Sequence, residues 1–570
     1  MKVVIVGGVA GGATAAARIR RLDEQAEIVI FERTNFISYA NCGLPYCVGG
    51  VIAEEKTLTL QTPESFGQRF RIRVCVQHEV IAIDAPRKVV RVKNLKTGAV
   101  FEESYDKLLL SPGAKPTQPR LPGVGLKQVF TLRTVEDAVA IRELLQLKKP
   151  KSVVLAGGGF ISLELAENFR RAGCEVTIVQ RPKHVMSPFD SDIATFIHGE
   201  LRRKGVRLAL GCEVEGFHEA GDQVKVLLKD ADALRADFVV LAIGVTPESD
   251  LASSAGLKLG VKGSICVNER METSVPDIYA VGDAVQVTHA LTGAPTVIPL
   301  AGPANKQGRI AADNICGGSS VYRGSLGSSI LQVFELTAAA TGLNEKTAQN
   351  ARIDTDYVIL SPMNHAGYYP GSKLMTMKIL FEKGTYRLLG AQIVGYEGVD
   401  KRIDVLATAI RCGMTAIDLK DLELAYAPPY SAAKDPVNMA GFVIENIQKG
   451  LVRQWYERDV DALPRDGSVI LLDVRTPQEF ARGAIPDFIN IPVDELRTRL
   501  GELDRTKPVY VICQSGLRSY LATRILAGNG FQCFNFAGGY RYYEVLRQEK
   551  CLATSATACG MDRSVFGPQK

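Results

Sequence analysis

Two glycine-rich turns and one cysteine-to-arginine loop carry the chemistry that the sequence displays most openly. Gly7-Gly8-Val9-Ala10-Gly11-Gly12 follows a short apolar run, and Glu32 stands twenty residues beyond Gly12. Glycines at such a turn allow a tight bend and close backbone approach. The helix that follows aims free N–H groups at a pyrophosphate, and the acid can bind both ribose hydroxyls. Gly157-Gly158-Gly159-Phe160-Ile161-Ser162 repeats the device, but its next strand ends in Gln180-Arg181. A carboxylate there would repel a 2′-phosphate, whereas a neutral Gln beside an Arg does not, so NADPH is expected to be accepted and NADH is not excluded. Farther on, Cys513-Gln514-Ser515-Gly516-Leu517-Arg518 follows the run VYVI. Successive N–H groups at a helix N-terminus form an anion cradle, Arg518 adds charge, and a thiolate on Cys513 is favoured.

Such turns need parallel strands that end along one edge. Val3–Val6 and Ile28–Phe31 read as strands around a helical pattern at Gly11–Leu22, and the same unit recurs over 152–180. Further strand-turn segments are LLLSPGA at Leu108–Ala114, VVLAIGVTP at Val239–Pro247 and IYAVGDAV at Ile278–Val285. Alternation of this kind predicts an α/β protein. The 570 residues, 46% hydrophobic and 23% charged, suffice for several cores. The balance of 68 basic to 62 acidic residues, a net of +6, suits small anions and gives no reason to expect nucleic acid. No apolar run reaches the ~20 residues that span a bilayer, so no membrane association is expected. Twelve scattered cysteines without a tight CxxC pair predict reduced thiols in a cytoplasmic protein, and no metal site.

The segment Ser38-Tyr39-Ala40-Asn41-Cys42-Gly43-Leu44-Pro45-Tyr46-Cys47, with GGVAGGATAA, GGGFISLE, YAVGDA, IPLAGPANKQGR, HAGYYPG and YAPPYSAAKDPVN, resembles the pyridine nucleotide-disulfide oxidoreductases. Within that group it looks like the coenzyme A-disulfide reductases with a fused rhodanese domain and the related persulfide reductases. The resemblance covers about 1–549. It implies two Rossmann-like domains for FAD and NAD(P)H, an α+β dimerisation domain and a rhodanese-like α/β domain. The expected blocks are 1–147 and 266–325 for FAD, 148–265 for NAD(P)H, 326–445 for dimerisation, 446–466 as linker, 467–549 for rhodanese and 550–570 as tail. Arg33, Pro112, Gly113, Gly244, Gly282 and Asp283 join the cofactor contacts, with Asp283 on the ribityl chain. Cys42 is expected to alternate between thiolate and a mixed disulfide with coenzyme A, its pKa depressed by the flavin ring and a helix N-terminus. Thr14, Arg18, Arg21, Ser38, Asn41, Asn305 and Lys434 fall on substrate positions. Tyr368 and Tyr426 resemble tyrosines that reach the redox sulfur from the partner of a homodimer.

Cys42 and Cys47 form C-x4-C, the spacing of an intramolecular redox disulfide. The His base that accompanies such a pair is missing from YAPPYS, so a single-cysteine cycle is favoured, with Cys47 a small buried thiol; the disulfide stays open. Cys75, Cys174, Cys212, Cys266, Cys316, Cys412 and Cys533 read as core, and Cys551 and Cys559 as part of a bland tail. The segments LLDVR, Glu479-Phe480, Gly483-Ala484-Ile485 and Asn490-Ile491-Pro492 resemble a rhodanese domain, which implies a persulfide on Cys513. The leading expectation is an NAD(P)H reductase of coenzyme A disulfide, coenzyme A persulfide or polysulfide. Two alternatives stand beside it: an NADH oxidase or peroxidase cycling through a Cys42 sulfenic acid, and a non-catalytic persulfide carrier or sensor.

Overall fold

The computed structural model describes residues 1–555. The chain divides into two compact units. The first, Met1–Lys183 with Gly205–Gly327, is built on two five-stranded parallel sheets. In the first sheet the order is Ile278–Ala280, Lys107–Leu110, Lys2–Val6, Glu27–Glu32, Arg73–Val76. Val3, Val4, Ile5 and Ile28–Phe31 are buried, as strands covered on both faces must be. The parallel register from Lys2↔Glu27 to Val6↔Phe31 carries Gly7 and Glu32 to the same edge. In the second sheet, Ser152↔Glu175 through Ala156↔Val179 does the same for Gly157 and Gln180. Two three-stranded antiparallel sheets, over 78–104 and 214–236, complete these layers.

Glycine is obligatory where the first turn tightens. Gly7 has φ +93°, and a Cβ on Gly12 would lie 1.9 Å from the Gly7 carbonyl oxygen. The helix Ala10–Leu22 packs against the helix Ala301–Ile315, whose Gly308 sits so close that a Cβ would fall 2.4 Å from the Gly11 oxygen.

The second unit takes residues 184–204 and those from 328 onward. Its antiparallel sheet runs Ser329–Val333, Leu336–Gly342, Leu388–Gly395, Thr376–Glu382, Thr355–Leu360, and its parallel sheet Gln454–Trp455, Cys533–Phe536, Val509–Ile512, Ile470–Asp473, Ile489–Asn490. The helix Ser191–Arg203, inside the block 148–265 by sequence, groups with this unit. It packs on the last helix, Gly539–Ser555, where the buried His198 points Nδ1 at Glu549 (3.0 Å) and accepts the Val185 N–H at Nε2 (3.1 Å). Lys378 is fully buried nearby, its ammonium 3.0 Å from Asp190 and 2.8 Å from Asp192 and in contact with Glu345. Tyr542 of the last helix donates to the same Asp192 (2.7 Å).

Several expectations change here. Residues 446–466 are not a plain spacer: Gln454–Trp455 pairs with Asn535 and Phe536 as an edge strand, and the buried Trp455 donates its indole N–H to the Val511 oxygen at 3.3 Å. The last helix runs past 549 and carries the exposed Cys551, while Cys559 lies outside the described residues. Cys174 and Cys212 are buried as expected, Cys75, Cys266, Cys316 and Cys533 are partly so, and Cys412 is exposed just past the helix Val399–Arg411. Among the described residues no helix is long and apolar enough to cross a membrane.

Candidate active sites

The first cradle is closed by Glu32, which is buried. Its Oε2 accepts the Gly8 N–H (3.0 Å), and its Oε1 accepts the N–H and hydroxyl of Thr34 (2.9 Å each). Asp283, on the turn Gly282–Ala284, accepts no hydrogen bond from the described chain, and burial raises its carboxyl pKa above the usual range. An unused carboxylate beside a glycine-lined turn suits a polyhydroxyl ligand, so the donor set fits a dinucleotide. Gly282, at φ +82°, donates its N–H to Gln307 (2.7 Å). Arg33 stands apart from this fit. Glu248 engages it at 2.6 and 2.7 Å and takes Arg133 at 2.8 Å as well, so Arg33 holds a carboxylate of the chain. Arg133 also caps the Pro112 oxygen (3.0 Å), next to Gly113 at φ +75°.

The second cradle mirrors the first with the charge removed. Gln180 Oε1 accepts the Gly158 N–H at 3.0 Å, where Glu32 takes Gly8. A Cβ on Gly157 would meet the Ala242 oxygen at 2.3 Å, whereas Gly159 and Gly244 face open space. Phe160 and Ile161, half-buried, open the helix Phe160–Arg171. Arg181 is exposed, with Glu213 no nearer than 3.8 Å.

Cys42 is exposed on the turn Asn41–Gly43, beside exposed Asn41. Ser38 bends the chain at φ +46° and donates its N–H to the Gly8 oxygen (2.8 Å), which ties the cysteine loop to the first cradle. Partial burial, then the charges of Glu164 and Asp283, push the Cys42 thiol up. The side chains of the protein therefore oppose the depression that the sequence led us to expect. Glu164 itself is pushed up to about 7 by burial, and Tyr46 Oη donates to it at 3.4 Å. Cys47 is fully buried with its sulfur 3.8 Å from Arg142 on the helix Val135–Lys148, and both cysteines are free thiols.

Thr14, Arg18 and Arg21 follow i, i+4, i+7 spacing along one helix, and the facing helix brings Asn305 to them. The Thr14 hydroxyl donates to Asn305 Oδ1 at 2.5 Å, and Arg18 Nε pairs with Asp313 at 2.7 Å. Arg309, one turn beyond Asn305, lowers the Asp313 carboxyl too, after Arg18 and Ser320. Sequence reasoning passed over Arg309, although its i, i+4 spacing from Asn305 was the available signal. Lys434 is exposed in the second unit, beside buried Asp435, which Arg402 holds at 2.9 Å. Tyr368 and Tyr426 meet there at 2.8 Å between hydroxyls and are 76% and 46% exposed.

In the last sheet's loop, Cys513 is fully buried. Its sulfur accepts the Gly516 N–H (3.1 Å) and the Ser519 hydroxyl (3.2 Å), with Gly516 at φ +99°. Arg518 grips Glu479 with two bonds of 2.7 Å and holds that carboxyl down at about 2. The charge expected from Arg518 is thus largely cancelled. Ser519 and Glu479 were missed as site residues. Glu479 reads in sequence as the third residue of the capping box after Thr476, a role it also fills.

With this geometry in place, comparison with known proteins is direct. The pyridine nucleotide-disulphide oxidoreductase model matches residues 1–308, the dimerisation domain of that group matches 329–436, and a rhodanese-like domain matches 457–545. The coenzyme A disulfide reductase of Staphylococcus aureus strain JH9 is 38% identical over 442 residues, covering 77% of this chain and 99% of that one. Reduced CoADR-RHD from Bacillus anthracis aligns with TM-score 0.93 and 46% identity over 96% of this chain and 98% of that one. A NAD-dependent persulfide reductase from A. fulgidus aligns with TM-score 0.90 and 39% identity, over 95% and 100%. Paired glycine cradles, a cysteine tied to the first of them and a chain-long match leave one conclusion, that this chain belongs to the pyridine nucleotide-disulphide oxidoreductase family and carries a rhodanese-like domain behind its dimerisation domain.

Proposed function

We propose that the chain reduces coenzyme A disulfide or coenzyme A persulfide with NAD(P)H and FAD. The observation that carries this reading is the placement of Cys42, exposed and tied to the glycine turn that Glu32 closes. Gly7, Gly8, Gly11, Gly12, Glu32 and Asp283 would hold FAD, and Gly157, Gly158, Gly159 and Gln180 the nicotinamide nucleotide. When bound, FAD supplies a two-electron relay between the nicotinamide and the thiol. Thr14, Arg18, Arg21, Asn305 and Arg309 give a polar, basic two-helix face for the anionic end of coenzyme A. Cys42 thiolate attacks one sulfur of the disulfide, the S–S bond breaks, and one coenzyme A leaves and takes up a proton. The two electrons of one NAD(P)H then cleave the Cys42–coenzyme A bond, releasing the second thiol and restoring the thiolate. Tyr368 and Tyr426, supplied by the partner of a homodimer, donate the proton to the departing sulfur. Cys513 accepts a sulfane sulfur that Cys42 afterwards reduces by way of coenzyme A.

The mass of the purified protein tests this directly. Thiol treatment should remove one coenzyme A, and Cys42→Ser should abolish both the adduct and NAD(P)H-dependent disulfide reduction, by about a thousandfold or more. Full activity in Cys42→Ser would refute the scheme. Reoxidation of the reduced protein by peroxide faster than by coenzyme A persulfide would favour the peroxidase chemistry instead.

A further inference from the structure

The wall around Cys513 is built from two closed ion pairs. Arg475, fully buried, is spent on Asp473 at 2.7 Å, and its guanidinium carbon lies 3.8 Å from the centre of the Tyr540 ring. Arg518 is spent on Glu479 through both terminal nitrogens. The two pairs sum to zero, and the sulfur itself accepts the Gly516 N–H and the Ser519 hydroxyl. That is provision for one negative charge, the thiolate or persulfide itself. At the mouth of the loop Leu517 is 55% exposed, with Leu521 one turn further along the same helix 47% exposed. An apolar lip over a charge-balanced wall suits a donor with an organic arm.

We propose that Glu479 sets the donor class of this module: by neutralising Arg518 it confines Cys513 to organic persulfides and turns away dianionic inorganic donors such as thiosulfate. The proposal rests on the reading of Cys513 as a sulfane-sulfur acceptor. With an organic persulfide, the Cys513 thiolate attacks the outer sulfur of R–S–SH. The old S–S bond breaks with its electron pair going to R–S⁻, and the donor's proton moves to that group, so RSH leaves and Cys513 holds –S–S⁻ with no net redox change. With thiosulfate the same attack would expel sulfite, and a dianion would first have to approach a thiolate whose flanking guanidiniums, Arg475 and Arg518, are already paired, which at short range in a buried site costs a large factor in rate.

The test uses the full-length holoenzyme without NAD(P)H, following the gain of one sulfur on the Cys513 peptide by mass spectrometry. Glutathione persulfide should load Cys513 about a hundredfold faster than thiosulfate at equal concentration. Glu479→Gln keeps the capping-box acceptor at the start of the helix Pro477–Ala481 but frees the Arg518 charge. This variant should load thiosulfate about tenfold faster, lose that gain in high salt, and leave coenzyme A disulfide reduction at Cys42 unchanged. Wild-type loading by the two donors at similar rates would overturn the proposal, as would a folded Glu479→Gln protein with no gain for thiosulfate. Loading by neither donor, in a protein that still reduces coenzyme A disulfide, would sink the acceptor reading and the proposal with it.

Discussion

At the scale of single residues, the site is governed by charge placement that opposes its own nucleophile. Glu164 sits near Cys42, is pushed up to about 7, and raises the thiol when ionised. As pH climbs through about 7 its growing negative charge resists removal of the Cys42 proton, so thiolate forms later than it would beside a neutral group. Glu164→Gln removes that opposition. Alkylation of Cys42 by iodoacetamide, followed against pH, should show a midpoint lower by roughly half to one pH unit. A midpoint that stays put or moves up would show that Glu164 does not act on the sulfur. Stability gives a second sign: a carboxyl raised above its unfolded value of 4.5 weakens the fold as pH rises from that value through about 7, and the Gln variant lacks that loss.

At the scale of elements, the edge strand Gln454–Trp455 shows what a linker reading overlooks. Trp455 meets Phe536 edge-to-face, 4.5 Å between ring centres, and bonds Val511, so it closes the sheet that carries Cys513. Trp455→Ala should cost the module about 3–5 kcal/mol, seen as an earlier denaturant midpoint for the unfolding of its sheet, with coenzyme A disulfide reduction retained below that midpoint. An unchanged midpoint would mean the strand is decoration. The strand escaped sequence reading because two residues carry no period, and its pairing to Asn535 and Phe536 is non-local. The glycine cradles were legible for the opposite reason. Turn, helix and acid lie within one strand-helix-strand unit, so spacing alone sets the register that the parallel pairing of Val6 with Phe31 produces. Glu164 was visible inside GGGFISLE, yet its neighbourhood with Tyr46 and Cys42 arises from the packing of two helices more than a hundred residues apart in sequence. The pairing of Arg518 with Glu479, 39 residues away, was hidden in the same way.

At the scale of the whole molecule, the exposed Tyr368 and Tyr426 pair makes a prediction about assembly. Heterodimers of a Cys42→Ser chain with a Tyr368→Phe/Tyr426→Phe chain contain, if the tyrosines act across the dimer, one intact site and one doubly damaged site. Such mixtures should recover a substantial part of wild-type turnover, while either parental homodimer stays low. If the tyrosines serve their own chain, every site in the mixture is damaged and no recovery appears; differently tagged chains purified together decide between the two. The knot at Lys378 belongs to this scale as well, since it fastens the helix Ser191–Arg203, the strand Thr376–Glu382 and, through Tyr542, the last helix. Its three carboxylates lie as close together as the ligands of a metal ion, yet an ammonium fills the space between them. An amine so enclosed keeps its proton in mild alkali, because its acids hold it above the ordinary lysine range. It is also out of reach of acylating reagents for as long as those segments remain together. Lysine chemistry thereby acquires an internal gauge: among the described residues Lys378 is the lysine shut away from solvent, and it answers only when the clasp has come undone.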